Sequence, residues 1–98
     1  MDRDLAIHIL RAHDAELRGM GVRSLALFGS TARGEARPDS DVDLLTDLDE
    51  RVGYVELVRI AERWEALLGR PVDLVPRGAL RPSLRAQVLA EAEVVLAA

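Results

Sequence analysis

Apolar positions along the chain recur with two periods, and the changes between them predict six elements. Over residues 4–18, Leu5, Ile9, Ala12 and Leu17 fall near one face of a helix, with Asp4 placed as N-cap and Gly19 or Gly21 as the stop. Residues 24–28 form a short apolar run that ends at Gly29. Residues 41–45 alternate carboxylates with Val42 and Leu44 before the polar stretch Asp47-Leu48-Asp49-Glu50, so both segments predict strands and the second runs into a loop. From residue 54 to 68, Val55, Leu57, Val58, Ala61, Trp64, Leu67 and Leu68 keep a helical period, closed by Gly69 with Pro71 beyond it. Residues 71–76 read as a strand fenced by Pro71 and Pro76, and Pro82 opens a last helix carrying Leu84, Val88, Leu89 and Val95.

This order predicts an α/β sandwich in which a sheet of about three strands is covered by helices. There is no internal repeat, and 98 residues predict one domain over 1–98, because domains cluster near ~100 to 150 residues. No apolar run approaches the ~18 residues that a bilayer crossing needs. The acidic start Met1-Asp2-Arg3-Asp4 lacks the basic and apolar regions of a signal peptide, so a cytoplasmic location is expected and a membrane partner is not.

Composition narrows the chemistry. Zero cysteines leave no disulfide framework and no thiolate metal site, and His8 and His13 do not share a helical face. A bound metal would have to rest on carboxylates. The net charge is −4, all thirteen basic residues are Arg, and the aromatics are Phe28, Tyr54 and Trp64 alone. That offers neither a basic stripe nor a stacking platform, so nucleic acid is not the expected main partner. Trp64 is expected in the core.

The informative stretch is Gly29-Ser30, then ten residues, then Asp41-Val42-Asp43. Four specified positions at fixed spacing would match by chance on the order of once per thousand chains of this length. Residues two apart on a strand share a face, so the carboxylates of Asp41 and Asp43 can converge. From Asp39 to Glu50 there are six acids and no base, a concentration best tolerated by holding cations. Mg²⁺ fits, being a hard ion bound by one or two carboxylates together with substrate phosphates. Displacement at phosphorus is catalysed by positioning and by stabilising charge on the attacking and leaving oxygens, and two ions serve both needs.

Gly29 would let the backbone approach a triphosphate, while Ser30 offers a hydroxyl and, with Thr31, N–H groups at a strand-to-helix turn. Arg33 and Arg37 could reach phosphate oxygens, although Arg scattered along a chain more often makes surface ion pairs. Taken singly, Gly29-Ser30 could be an ordinary turn, and Asp41 with Asp43 a solvated strand edge. Their combination at this interval favours catalysis. Ser40 and Asp39 are expected to shape the turn into the strand. Asp73 alternates with Val72 and Leu74, so if its strand ends beside Asp41 and Asp43 it would face the same volume and could accept a proton from an attacking hydroxyl. An ion pair with Arg70 or Arg77 is the other reading of Asp73.

The segments Leu27-Phe28-Gly29-Ser30, Asp41-Val42-Asp43-Leu44-Leu45 and Gly69-Arg70-Pro71-Val72-Asp73-Leu74-Val75 resemble the polymerase-beta-type nucleotidyltransferase superfamily. Within it the chain most resembles the minimal nucleotidyltransferases, the antitoxin halves of pairs with HEPN-domain ribonuclease toxins. The similarity runs from Leu25 to Val95. It implies a small mixed sheet packed with helices, Mg²⁺ on Asp41, Asp43 and Asp73 as catalytic and metal-binding residues, and a nucleoside triphosphate at Gly29, Ser30, Thr31 and Arg33. It also implies a HEPN-type toxin as partner, with AMP passed from ATP to a tyrosine hydroxyl. Thr31 departs from the pattern, because relatives often carry Arg there, so one phosphate-facing charge is missing.

Two other functions stay open on the residues. One is an antitoxin that acts by covering its partner with little turnover. The other is transfer to a small molecule or to RNA, which normally requires a further acceptor-gripping domain or a partner subunit.

Overall fold

The computed structural model describes residues 2–35, 37 and 40–97. The elements, in order, are α1 (Arg3–Ala12), α2 (Asp14–Gly19), β1 (Val22–Phe28), α3 (Gly29–Ala32), β2 (Val42–Leu48), α4 (Tyr54–Leu68), β3 (Val72–Pro76), a 3₁₀ turn (Arg77–Ala79), α5 (Pro82–Glu91) and β4 (Glu93–Leu96). The sheet has four strands in the order β3-β2-β1-β4. β1 is antiparallel to both β2 and β4, and β2 is parallel to β3. This is the mixed sheet that the resemblance implies. A parallel pair needs a crossover connection, and α4 supplies it.

The first helix predicted from periodicity is in fact two. Asp2, rather than Asp4, is the N-cap of α1, its carboxylate accepting from the Leu5 N–H at 3.1 Å. The ladder breaks at His13, whose imidazole N–H donates to the Ile9 carbonyl at 2.8 Å while its backbone N–H turns to Leu10 at 3.1 Å. The carbonyl that a continuous helix would give to the main chain is taken by the ring, and α2 restarts with Leu17 buried. His8 is exposed, and the His13 ring is engaged at the helix break.

Two other expectations are corrected. β2 continues through Asp47 and Leu48, a stretch expected to be a loop, because β1 pairs with it as far as Val22↔Leu48. Val95 does not ride on the last helix but lies in β4, a fourth strand that periodicity did not separate. α4 has its expected bounds, with Glu56 Oε2 accepting the Gly53 N–H at 3.1 Å and Gly69 ending it at φ 67°.

The main core lies on one face of the sheet. Leu25, Leu27, Val42 and Leu44 pack there against Leu10, Leu17, Ile60, Trp64 and Leu68. Trp64 is fully buried, as expected of a core residue. Alternation sends Ala26, Phe28, Leu45 and Val75 to the opposite face, where Leu80, Val88 and Ala92 cover them thinly. That thinly covered face carries the carboxylates. No helix among the described residues is long and apolar enough to cross a membrane.

Candidate active site

Strand register brings the site together. In the parallel pair, Asp43 is the Cα partner of Asp73, one step along from Val42↔Val72. In the antiparallel pair, Phe28 is the partner of Asp43, so Gly29 follows directly at the rim. Asp41 stands at the entrance to β2, exposed, two residues from Asp43 and so on the same side. Local contacts hold these strand starts in place. The Val42 N–H donates to the Pro71 carbonyl at 2.9 Å, and the Val72 N–H donates to Glu65 Oε2 at 3.0 Å.

Gly29 has φ 73°, the left-handed region, and sits over Asp43. A Cβ there would collide with the Asp43 carboxylate oxygen and stand 3.0 Å from its Cγ. The glycine therefore serves two needs, the turn from β1 into α3 and close approach of backbone to carboxylate. Ser30 follows, half-buried, with its carbonyl accepting from Glu35 at 2.8 Å.

Thr31 does not present its side chain to a ligand. It is 1% exposed, and Oγ1 finds no hydrogen-bond partner among the described residues, so a contribution to phosphate binding must come from its backbone. Arg33 closes α3 and is engaged twice: Nε donates to Glu35 Oε2 and Nη1 to Glu91 Oε2, each at 3.1 Å. The Arg37 N–H donates to Ser40 Oγ at 2.9 Å, which makes Ser40 the expected turn residue, while Asp39 lies outside the described residues. Spacing could not have found Glu91, because it is fifty-eight positions from Arg33 in sequence.

The electrostatics follow from this arrangement. Burial pushes the Asp43 carboxyl above its ordinary value, the charges of Asp73 and then Asp41 push it further, and Arg33 opposes them. Burial and the two neighbouring carboxylates thus disfavour a third negative charge in this volume, more than Arg33 offsets. Among the described residues, neither Arg70 nor Arg77 forms an ion pair with Asp73. Nor do three acids or imidazoles already stand within reach of one common ion among those residues. The donor set nonetheless suits Mg²⁺, which needs only one or two carboxylates and completes its octahedron with water and phosphate. The repulsion at Asp43 is of the kind that a cation relieves. Two concavities among the described residues lie away from the carboxylates, at the far ends of β2 and β3 and beside α5.

Comparison with known proteins agrees with the fold and the family resemblance. The sequence model of the nucleotidyltransferase domain family matches residues 10–95. Protein adenylyltransferase MntA of Thermococcus cleftensis is 46% identical over 84 residues, 85% of each chain. A solved structure of a protein assigned as a minimal nucleotidyltransferase is 40% identical, with 95% of each chain covered and a TM-score of 0.75. The MNT antitoxin complex with a tri-AMPylated HEPN toxin of Shewanella oneidensis has the same fold, with a TM-score of 0.67 at 18% identity over 98% of this chain and 73% of that one. From the ladder that aligns Asp43 with Asp73 to the Gly29-Ser30 turn and these matches, this chain belongs to the nucleotidyltransferase domain family, in its minimal form.

Proposed function

We propose that the chain is a Mg²⁺-dependent protein adenylyltransferase that transfers AMP from ATP to a hydroxyl of a HEPN-type toxin, and so acts as the antitoxin of a pair. The observation that carries this reading is the register partnership of Asp43 with Asp73, with Asp41 and Gly29 beside it. The names of the T. cleftensis and S. oneidensis proteins support the acceptor and the nucleotide. The reading includes a cytoplasmic reaction, where ATP is at hand.

In this reading the Gly29-Ser30 turn receives the triphosphate through backbone N–H groups and the Ser30 hydroxyl, and Arg33 meets a phosphate oxygen. Asp41, Asp43 and Asp73 would hold Mg²⁺, as two ions, which when bound neutralises charge on the phosphates and on the attacking and leaving oxygens. Asp73 accepts the proton of the acceptor hydroxyl. The hydroxyl oxygen forms a bond to the α-phosphorus as the bond to the bridging oxygen of pyrophosphate breaks, leaving an AMP ester on the partner and free pyrophosphate.

The test is to incubate chain, partner, ATP and Mg²⁺ and weigh the partner by intact mass spectrometry. Gain of one or more AMP groups is expected, and an unchanged mass would remove the reading. A second reading, neutralisation by binding with slow turnover, is favoured by Thr31 standing buried and by Arg33 being engaged with Glu35 and Glu91.

A further inference from the structure

We infer that the outer surface of α5 and the 3₁₀ turn before it is the docking face for the acceptor protein, and that it receives an acidic amphipathic segment. This rests on the proposed reading that the acceptor is a protein. α5 has ten residues and none of them is buried. A helix of that length is marginal in water unless a face of it is covered. Leu84 and Leu89 are 46% and 44% exposed, and Val94 on the neighbouring β4 is 56% exposed. A groove of about 450 Å³ runs along this face between Arg77, Leu80, Arg85 and Leu89, with Asp47 in it. A second concavity shares Asp47 and Arg77 and reaches Val94.

Charge selects the occupant. In a chain of net charge −4, residues 77–90 carry Arg77, Arg81 and Arg85 and no acid. Among the described residues, none of these three makes an ion pair. The nearby acids are Asp47 in the groove, Glu91, which is held by Arg33, and exposed Glu93. Apolar anchors of leucine size flanked by Asp or Glu on a partner helix would complement both the groove and its arginines.

Position supports the assignment. The last turn of α5 is tied to α3 by Glu91 and Arg33, and α3 carries the Gly29-Ser30 turn. A protein seated in the groove at the far ends of β2 and β3 can therefore extend along α5 toward the Gly29-Ser30 turn, which the last turn of the helix reaches. The other exposed apolar group, Tyr54, Val55 and Val58 at the start of α4, differs in two respects. Glu56 and Arg59 are interspersed with it, and the helix is already anchored by buried Ile60, Trp64 and Leu68.

The experiment titrates a purified HEPN-type toxin into the chain, as wild type, as Arg81→Glu with Arg85→Glu, and as Leu89→Asp. Affinity at two salt concentrations, Mg-ATP binding and thermal midpoint are measured together. The charge-reversed variant is expected to bind the partner at least about tenfold more weakly, with a shallower salt dependence, and to keep wild-type Mg-ATP binding and midpoint. Leu89→Asp should weaken association without removing nucleotide binding, and if it unfolds the charge-reversed variant decides alone. Equal partner affinity in wild type and folded variants overturns the docking face and leaves the transferase reading standing. Loss of self-association in the variants, with partner affinity retained, also overturns it, by assigning the face to a second copy of the chain. Failure of the wild-type chain to bind or modify any protein partner removes both readings.

Discussion

Asp43 and Asp73 are partners across the parallel β2–β3 ladder, thirty positions apart in sequence and one strand spacing apart in the sheet. Their strands lie ~4.8 Å apart and both side chains point to one face, so two negative charges are held side by side by backbone hydrogen bonds alone. Asp41 adds a third. In a metal-free chain this repulsion costs stability.

Replacing Asp41 and Asp43 by Asn should abolish transfer while the fold survives, because Asn keeps the shape and removes the charge. Asp43 has its carboxyl raised above 3.8 by burial, then by Asp73 and Asp41. A group raised in the folded state holds its proton more tightly there. Its stabilising contribution is therefore present below 3.8 and is lost as pH rises through the raised value. Without metal the double variant should exceed wild type at neutral pH by roughly 0.2 to 1 kcal/mol, and the difference should vanish below pH 3.8. Thermal midpoints on both sides of that range, with label transfer from ATP, provide the check. Unchanged transfer would sink the assignment of these carboxylates.

Gly29→Ala should damage both stability and nucleotide binding. The new methyl meets Asp43, and φ 73° costs a non-glycine residue about 1 to 2 kcal/mol. Denaturant melts and Mg-ATP calorimetry measure the two effects separately. Wild-type behaviour in both would mean that the turn does not approach the carboxylate as closely as described.

Glu91→Gln should tighten Mg-ATP binding. Glu91 and Glu35 occupy Arg33, and in the proposed reading an incoming triphosphate would compete with them for the guanidinium. Removing one competitor lowers that cost, while stability should shift by less than about 1 kcal/mol, as for other solvent-accessible pairs. Weaker nucleotide binding in this variant would show instead that Glu91 holds Arg33 in its working position.

Trp64→Ala tests the main core. The indole is fully buried among residues from both layers, so truncation should cost about 3 to 5 kcal/mol, enough to lower the thermal midpoint steeply. A small loss would indicate that the sheet and helices are held mainly by other contacts.

Local chemistry made part of this protein legible. The end of α4 was marked by Gly69 and Pro71, because caps and breakers act within a turn of where they stand. The Gly29-Ser30 turn and the Asp41 and Asp43 pair were legible for the same reason, since spacing along a strand fixes which side chains share a face. β4 was not, because Val94, Val95 and Leu96 prolong the apolar character of α5, and only pairing with β1, some seventy positions upstream, makes them a strand. The break at His13 was equally hidden, as it depends on which group claims the Ile9 carbonyl.

By itself, then, the sequence determined the helix and strand pattern at its strongest signals, the left-handed glycine turn after β1 and the shared face of Asp41 and Asp43. Tertiary structure alone decided that Asp73 stands beside Asp43, that Thr31 turns inward and that Glu91 reaches Arg33. Period and capping are properties of neighbours along the chain. Register, burial and long-range ion pairs depend on how distant segments close on one another, and no local pattern encodes that closure.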